Sequence, residues 1–161
     1  MAHTGNAPAL HGTFTLDYPL KASPDAVFAA FSQLNLRKLW SRLPGPSASS
    51  RHELDFRVGG IEHATNTFPG LGGPEELESL DHFHDIVPER RIVYTHTARV
   101  NGLTRWVSLA TVELTPEDTG TLLTWTEQYA FLVLTGDGTQ DRAHLEGATR
   151  LRLNGLAAVV E

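Results

Sequence analysis

The sequence predicts an α+β fold in which a bent antiparallel sheet of about six to seven strands is covered by one long C-terminal helix. Three observations predict it. Residues 52–131 alternate with the period of two that is typical of β-strands. Asn101-Gly102 lies within this stretch and indicates a hairpin, because both central residues of a type I′ turn need a positive φ. From Asp141 onward the apolar residues recur at helical spacing.

The composition indicates one globular domain. The chain has 161 residues, of which 40% are hydrophobic and 20% are charged, as in ordinary folded domains. We expect the domain to span residues 13–161 and to follow a loose segment, residues 1–12, made of small and polar residues.

Charge and residue usage exclude several classes of function. The formal net charge of -6 argues against nucleic-acid binding, because phosphate recognition uses clustered Lys and Arg. The chain has no cysteine, which fits a reducing compartment. No secretory signal is visible, and no run approaches about 18 consecutive apolar residues, so we predict no membrane span. We therefore expect a cytoplasmic protein.

Two short helices are predicted after an opening strand at Thr13–Tyr18. Ser23 is a good N-cap, and Pro24 fits the first helical position. The residues that follow place Val27, Ala30, Phe31 and Leu34 on one apolar stripe. A second helix is expected to end near Trp40, since the Pro-Gly-Pro run at 44–46 stops any helix.

Six further strands follow from the alternation. They are expected at Glu53–Val58, Ile61–Thr67, Glu76–Val87, Arg91–Val100, Thr104–Leu114 and Thr121–Phe131. Gly59-Gly60 predicts a tight hairpin between the first two of these. The glycine-rich residues 69–74 lack the lysine of a phosphate-binding loop and are expected to form a flexible rim.

The last predicted element is a helix of roughly five turns. Its apolar stripe consists of Leu145, Ala148, Leu153, Leu156, Val159 and Val160. Gly155 weakens this helix by about 0.5–1 kcal/mol relative to alanine, and Arg152 lies within the apolar stripe. The helix is the longest element available to cover one face of the sheet.

The order of elements and several segments together resemble a known family. The segments are Ala22–Phe28 with Trp40 downstream, Leu54–Gly60, His84–Tyr94, Val107–Leu114 and Thr126–Gln128. The chain resembles the START-related, birch-pollen-allergen-like superfamily (SRPBCC), which has the helix-grip fold. Within it, the chain is similar to bacterial homologues of the C-terminal domain of the heat-shock protein 90 ATPase activator. The resemblance covers roughly residues 13–160.

This resemblance implies a hydrophobic pocket between the sheet and the C-terminal helix. It implies no particular reaction, because one fold hosts many functions and members range from lipid and hormone carriers to cyclases. A chaperone partner is only weakly implied, since the eukaryotic activator has an additional N-terminal domain for which this chain has no room. Arg152 and Gly155 depart from the more evenly apolar final helix of the relatives.

Three histidines are candidates for proton transfer or metal binding. A simple register around the turn at residues 88–89 places His82 opposite His96, and His84 opposite Tyr94. Opposed Cβ atoms lie about 4.5–5.5 Å apart, within reach of a dyad or a shared metal. The alternative, which we favour, is that the histidines lie on the solvent face or in a polar patch of the pocket, so no metal or cofactor is expected.

The face occupied by Trp106 depends on the turn at Asn101-Gly102. A two-residue turn without irregularity places Trp106 and His96 on opposite faces of the sheet. They share a face only if a bulge or a longer loop intervenes. The sequence leaves both arrangements open.

Glu127 lies on the more aromatic side of its strand and is predicted to face inward. A buried carboxylate needs a partner, and Arg152 is the candidate for an ion pair that orients the polar end of a ligand. The alternative is that Glu127 lies in water at a strand end, or that Arg152 extends to solvent. The sequence favours neither.

Binding of an apolar or amphipathic small molecule is the function that we expect. The candidate ligand-binding residues are Trp40, His82, His84, Tyr94, His96, Trp106, Trp125, Glu127, Tyr129 and Arg152. The aromatic members are core residues or pocket walls. One alternative is an enzyme, a cyclase, dehydratase or hydrolase, with His82 or His96 as base and Glu127 as its partner. A second alternative is a co-chaperone-like interaction domain. A homodimer formed through sheet edges is also possible.

Overall fold

The structure is a computed structural model that describes residues 8–42, 49–70 and 72–161. These residues form, in chain order, β1 (Leu10–Leu20), α1 (Pro24–Ser32), α2 (Leu34–Trp40), β2 (Ser49–Leu54), β3 (Ile61–Gly70), β4 (Gly73–Val87), β5 (Arg91–Val100), β6 (Leu103–Glu117), β7 (Gly120–Phe131) and α3 (Thr139–Val160). The strands make one antiparallel sheet in the order β1-β7-β6-β5-β4-β3-β2. The predicted fold class, with two short helices and one long C-terminal helix, is confirmed.

The helix signals worked as predicted. Ser23 is the extended N-cap residue of α1, and Pro24 is its first helical residue. The second helix ends at Trp40. The Pro-Gly-Pro run at 44–46 lies outside the described residues.

Three predicted boundaries were wrong. β1 begins at Leu10, so residues 10–12 pair with β7 instead of being loose, while residues 1–7 lie outside the described residues. Gly59-Gly60 does not form a two-residue hairpin, because residues 55–60 make turns of their own and the Gly60 carbonyl accepts a hydrogen bond from the Phe83 N–H. The expected rim at 69–74 contains the paired ends of β3 and β4, with Pro69 opposite Pro74.

Two bulges set the register in the middle of the sheet. The Asn101-Gly102 turn is confirmed, with φ values of 50° and 79°. In β6, Arg105 has no partner on β5. Ala98 pairs with Trp106, and the next residue of β5, Arg99, pairs with Thr104. In β4 the register shifts between Phe83 and Asp85, which leaves His84 unpaired. Because of the bulge in β6, Trp106 lies on the same face of the sheet as His96.

The inner face of the sheet, the face that α3 covers, carries two apolar clusters. The cluster under the C-terminal half of α3 contains Leu153, Leu156, Phe31, Trp40 and Trp125. The cluster under its N-terminal half contains Leu145, Tyr129 and Phe131, with half-buried Trp106 packed against them. Thr149 and Arg152 lie between the apolar residues of the two halves. The helix therefore presents a polar segment to the middle of the sheet.

Candidate functional site

Four polar side chains cross the inner face of the sheet in one line. We call Glu62, Asp81, His96 and Ser108 the polar row. They stand on β3, β4, β5 and β6, and each is the direct cross-strand partner of the next. Glu62, Asp81 and Ser108 are 5%, 6% and 3% exposed. Buried polar groups need partners, and the row obtains them from neighbouring strands and from α2.

Arg37 of α2 neutralises the first member of the row. Its Nε donates to Glu62 Oε1 at 3.0 Å, and its Nη2 donates to Oε2 at 3.0 Å. The His52 ring nitrogen Nε2 lies 2.6 Å from the same Oε1. Burial, the largest single effect, raises the pKa of Glu62, but the charge of Arg37 and the hydrogen bonds from His52 and Arg37 together outweigh it and lower that pKa. Burial likewise opposes the charge of Arg37, and Glu62 raises the Arg37 pKa.

Asp81 and His96 form a close pair in the middle of the row. The Nδ1 of His96 lies 2.5 Å from Asp81 Oδ1, and the imidazole side chain is 15% exposed. Burial alone lowers the pKa of His96. The negative charge of Asp81 and its hydrogen bond outweigh burial, Glu127 adds to them and Arg152 opposes them, so the His96 pKa is raised. The charged imidazolium is the form that this pair stabilises.

Glu127 is buried beside the other end of the row, as its strand pattern predicts, and is 3% exposed. Its Oε1 accepts a hydrogen bond from Ser108 Oγ at 2.6 Å, and its Oε2 accepts one from Trp125 Nε1 at 3.0 Å. Of the alternatives left open for Glu127, the ion pair with Arg152 is not formed, since no ion pair joins the two residues in the described part of the chain. Each carboxylate oxygen accepts one hydrogen bond, and the Arg152 guanidinium lies 5.6 Å from the centroid of the Trp125 ring.

Two hydrogen-bond donors near this end are shielded from solvent and have no partner among the described residues. They are Trp106 Nε1 and Arg152 Nε. The Trp106 ring lies 6.0 Å from the His96 ring, centroid to centroid. Arg152 Nη2 donates to Thr149 Oγ1 at 3.2 Å, which leaves Nε free. Such donors cost free energy unless a water or a ligand accepts from them.

The remaining aromatic candidates lie in the core. Trp40 and Trp125 are 2% and 1% exposed, and the Trp40 indole donates to the carbonyl of Ala30. Tyr94 is buried between the rings of Phe83 and Trp125, and burial raises its pKa. Tyr129 packs on Phe131, and its hydroxyl accepts a hydrogen bond from Arg142.

The predicted histidine register was wrong by one residue. His96 faces Asp81, whereas His82 pairs with Thr95 and is exposed on the outer face. His84, the bulge residue, is also exposed and hydrogen-bonds the Thr95 hydroxyl. His82 and His96 therefore lie on opposite faces and cannot share a proton or a metal.

A shallow depression of about 590 Å³ lies on the outer face, where the start of β1 and the end of β7 meet the middle of β5 and β6. Val107, Leu109 and Gln128 line it, and it is open to solvent. The polar row and the two unpartnered donors lie on the opposite face. We therefore take the inner face as the candidate site.

Comparison with known proteins shows the family of this chain. The model of the "Activator of Hsp90 ATPase homolog 1-like protein" family matches residues 21–161. The chain belongs to this family. No protein with a curated description matches the chain in sequence. None of the described helices is long and apolar enough to cross a membrane.

Solved structures of this fold are similar over nearly the whole chain. A protein of Rhizobium loti is 38% identical, with a TM-score of 0.77 and coverage of 95% of this chain and 99% of that chain. A protein of Rhizobium leguminosarum is 28% identical, with a TM-score of 0.79 and coverage of 94% and 95%. A protein of Mycobacterium smegmatis, 16% identical with a TM-score of 0.68 and coverage of 96% of each chain, shares the fold. The family and the helix-grip fold predicted for the chain are thus confirmed.

Proposed function

We propose that the inner face of the sheet binds a neutral, amphipathic small molecule with an acceptor oxygen. One observation carries the proposal: the donors Trp106 Nε1 and Arg152 Nε are shielded and unpartnered. A carbonyl oxygen of a ligand would satisfy them.

The charges around these donors favour a neutral ligand. Two carboxylates, Asp81 and Glu127, stand near two cations, Arg152 and the imidazolium form of His96. These positive and negative charges balance one another. A ligand carboxylate would add a third negative charge to a largely buried site, which costs free energy. A ketone, ester or amide oxygen accepts the same hydrogen bonds without this cost.

The apolar part of such a ligand has a matching neighbour. Trp106 packs against the cluster of Tyr129, Phe131 and Leu145 under the N-terminal half of α3. Trp106 and Arg152 are only half-buried, so this end of the inner face is nearer to solvent than the fully buried cluster around Trp125. An apolar ring placed against Trp106 would bury surface at about 25 cal/mol per Å².

A matched ligand series tests the proposal. Thermal unfolding and tryptophan fluorescence are measured with 1-tetralone, with tetralin, which lacks the oxygen, and with 1-naphthoate, which is an anion. We expect 1-tetralone to bind most tightly. Trp106→Phe removes the donor and keeps an aromatic, though smaller, side chain, and it should weaken 1-tetralone binding by about twofold to tenfold, which is the contribution of one hydrogen bond.

Helix α3 carries a second arginine, Arg150, that provides a matched control for Arg152. Arg152→Met removes the second donor, whereas Arg150→Met removes an exposed guanidinium from the same helix. We expect weaker 1-tetralone binding in the first variant and unchanged binding in the second. Equal binding of tetralin and 1-tetralone, or tighter binding of 1-naphthoate, would contradict the proposal. The predictions of a homodimer and of a chaperone partner stay predictions.

A further inference from the structure

The Asp81–His96 pair leaves one imidazole nitrogen available. The Nδ1 nitrogen of His96 lies against the Asp81 carboxylate, so His96 donates its Nδ1 proton to Asp81. The other nitrogen, Nε2, has no hydrogen-bond partner among the described residues. The ring lies next to Trp106, whose N–H is one of the two unpartnered donors. An acceptor oxygen bound there would meet the imidazole as well.

Glu127 stands on the other side of Ser108. This serine is the cross-strand partner of His96, and its hydroxyl donates to Glu127 at 2.6 Å. The imidazole and the carboxylate therefore flank one small side chain on the same face. Ser108 and Trp125 are neutral donors, and no cation lies within 4.0 Å of Glu127 in the described part of the chain.

We propose that this site enolises a bound ketone, with His96 as general acid and Glu127 as general base. The inference rests on the proposed function, because the ketone must bind through its oxygen. It deepens that function by assigning the site a reaction and a substrate class. Ketones with a hydrogen on the carbon next to the carbonyl qualify.

The step balances without a co-reactant. Glu127 takes a proton from the carbon next to the carbonyl, and the released C–H electron pair forms a carbon–carbon double bond. The π pair of the carbonyl moves to oxygen, which takes the proton from His96 Nε2. The imidazole and the carboxylic acid are then neutral, and the ligand is a neutral enol. Reversal with solvent-exchanged protons restores the ketone and both residues.

Asp81 acts as a positioning residue. Its carboxylate orients the ring and keeps the imidazolium beside the oxygen where negative charge develops. The groups facing His96 from other elements are Asp81 on β4, Glu127 on β7 and Arg152 on α3. The acid form is lost as the pH rises through the His96 pKa. We therefore expect the exchange rate to fall there, and Asp81→Asn to move that fall to lower pH.

Exchange of the α-protons of 1-tetralone in D2O, followed by ¹H NMR, tests the reaction. We expect the protein to accelerate exchange over buffer. His96→Gln should lower the accelerated rate by about 100-fold or more, the usual contribution of a general acid. His144→Gln is the matched control, because His144 is exposed on α3. Glu127→Gln should cause a similar loss, and if it does not fold, His96→Gln and the pH profile of Asp81→Asn decide.

Binding is measured in the same samples by tryptophan fluorescence. Tight binding with exchange no faster than in buffer would overturn the catalytic inference and leave the binding function intact. Exchange that is equally fast in His96→Gln would overturn the role of His96. Absence of binding would overturn both proposals.

Discussion

Replacing Glu62 by glutamine tests the ion pair at the Arg37 end of the polar row. The side chains of Arg37 and Glu62 are 5% and 6% exposed, and glutamine keeps the shape while removing the charge. The guanidinium would stay buried, and its nearest remaining carboxylate oxygen would be Asp81 Oδ2 at 4.0 Å. Removing one partner of a buried pair costs about 3–5 kcal/mol. The glutamine carbonyl still accepts one hydrogen bond, so we expect about 3 kcal/mol.

Urea denaturation of the variants measures this cost. Glu53→Gln is the control, because the Arg51–Glu53 pair has side chains that are 77% and 65% exposed, and such pairs contribute about 0–1 kcal/mol. The lowered Glu62 pKa stabilises the fold above the ordinary value of 4.5 and ceases to do so as the pH falls through the folded-state pKa of about 2. The difference between wild type and Glu62→Gln should therefore shrink toward pH 2. A loss below about 1 kcal/mol at pH 7 would refute the reasoning.

Three further predictions concern single positions. Asp81→Asn should lower the pKa of His96, which an NMR titration of the ring protons measures. In the wild type, the raised His96 pKa stabilises the fold below the ordinary value of 6.5. This stabilisation is lost as the pH rises through the folded-state pKa. Gly155→Ala should stabilise the protein by about 0.5–1 kcal/mol in thermal unfolding, because the added Cβ meets its nearest neighbour at an ordinary 3.5 Å. Gly12→Ala should destabilise it by about 1–3 kcal/mol, because the added Cβ would overlap the Tyr129 hydroxyl; unchanged stability would contradict this.

The sequence predicts elements whose signals are local. The cap at Ser23, the turn at Asn101-Gly102 and the change of period at Asp141 each depend on a few neighbouring residues, and each lies where the structure has it. The inward face of β7, with Glu127, follows from alternation alone. Nothing beyond one element is needed for these predictions.

The polar row depends on register, which local signals do not determine. One bulge residue, His84, moves the partner of His96 from His82 to Asp81. Arg105, the bulge residue of β6, moves Trp106 to the inner face. Sequence analysis therefore missed Asp81. A carboxylate alternating with inward Phe83 was the available signal.

Glu62 and Arg37 were missed for a different reason. No buried face was predicted for α2 or for β3, and both residues are charged, a type that is usually exposed. Only the packing of α2 against β3 shows that these two charges neutralise each other. A pair of this kind is visible in the tertiary structure and not in the pattern of either element.

The indole N–H signals in a ¹H–¹⁵N NMR spectrum test the binding site most directly. The chain has three tryptophans, and the Trp40 and Trp125 indoles already donate to protein acceptors. On titration with 1-tetralone, the Trp106 signal, assigned by its loss in Trp106→Phe, should move downfield, and tetralin should not cause this. A Trp106 signal that does not respond, while the protein binds 1-tetralone, would contradict the account.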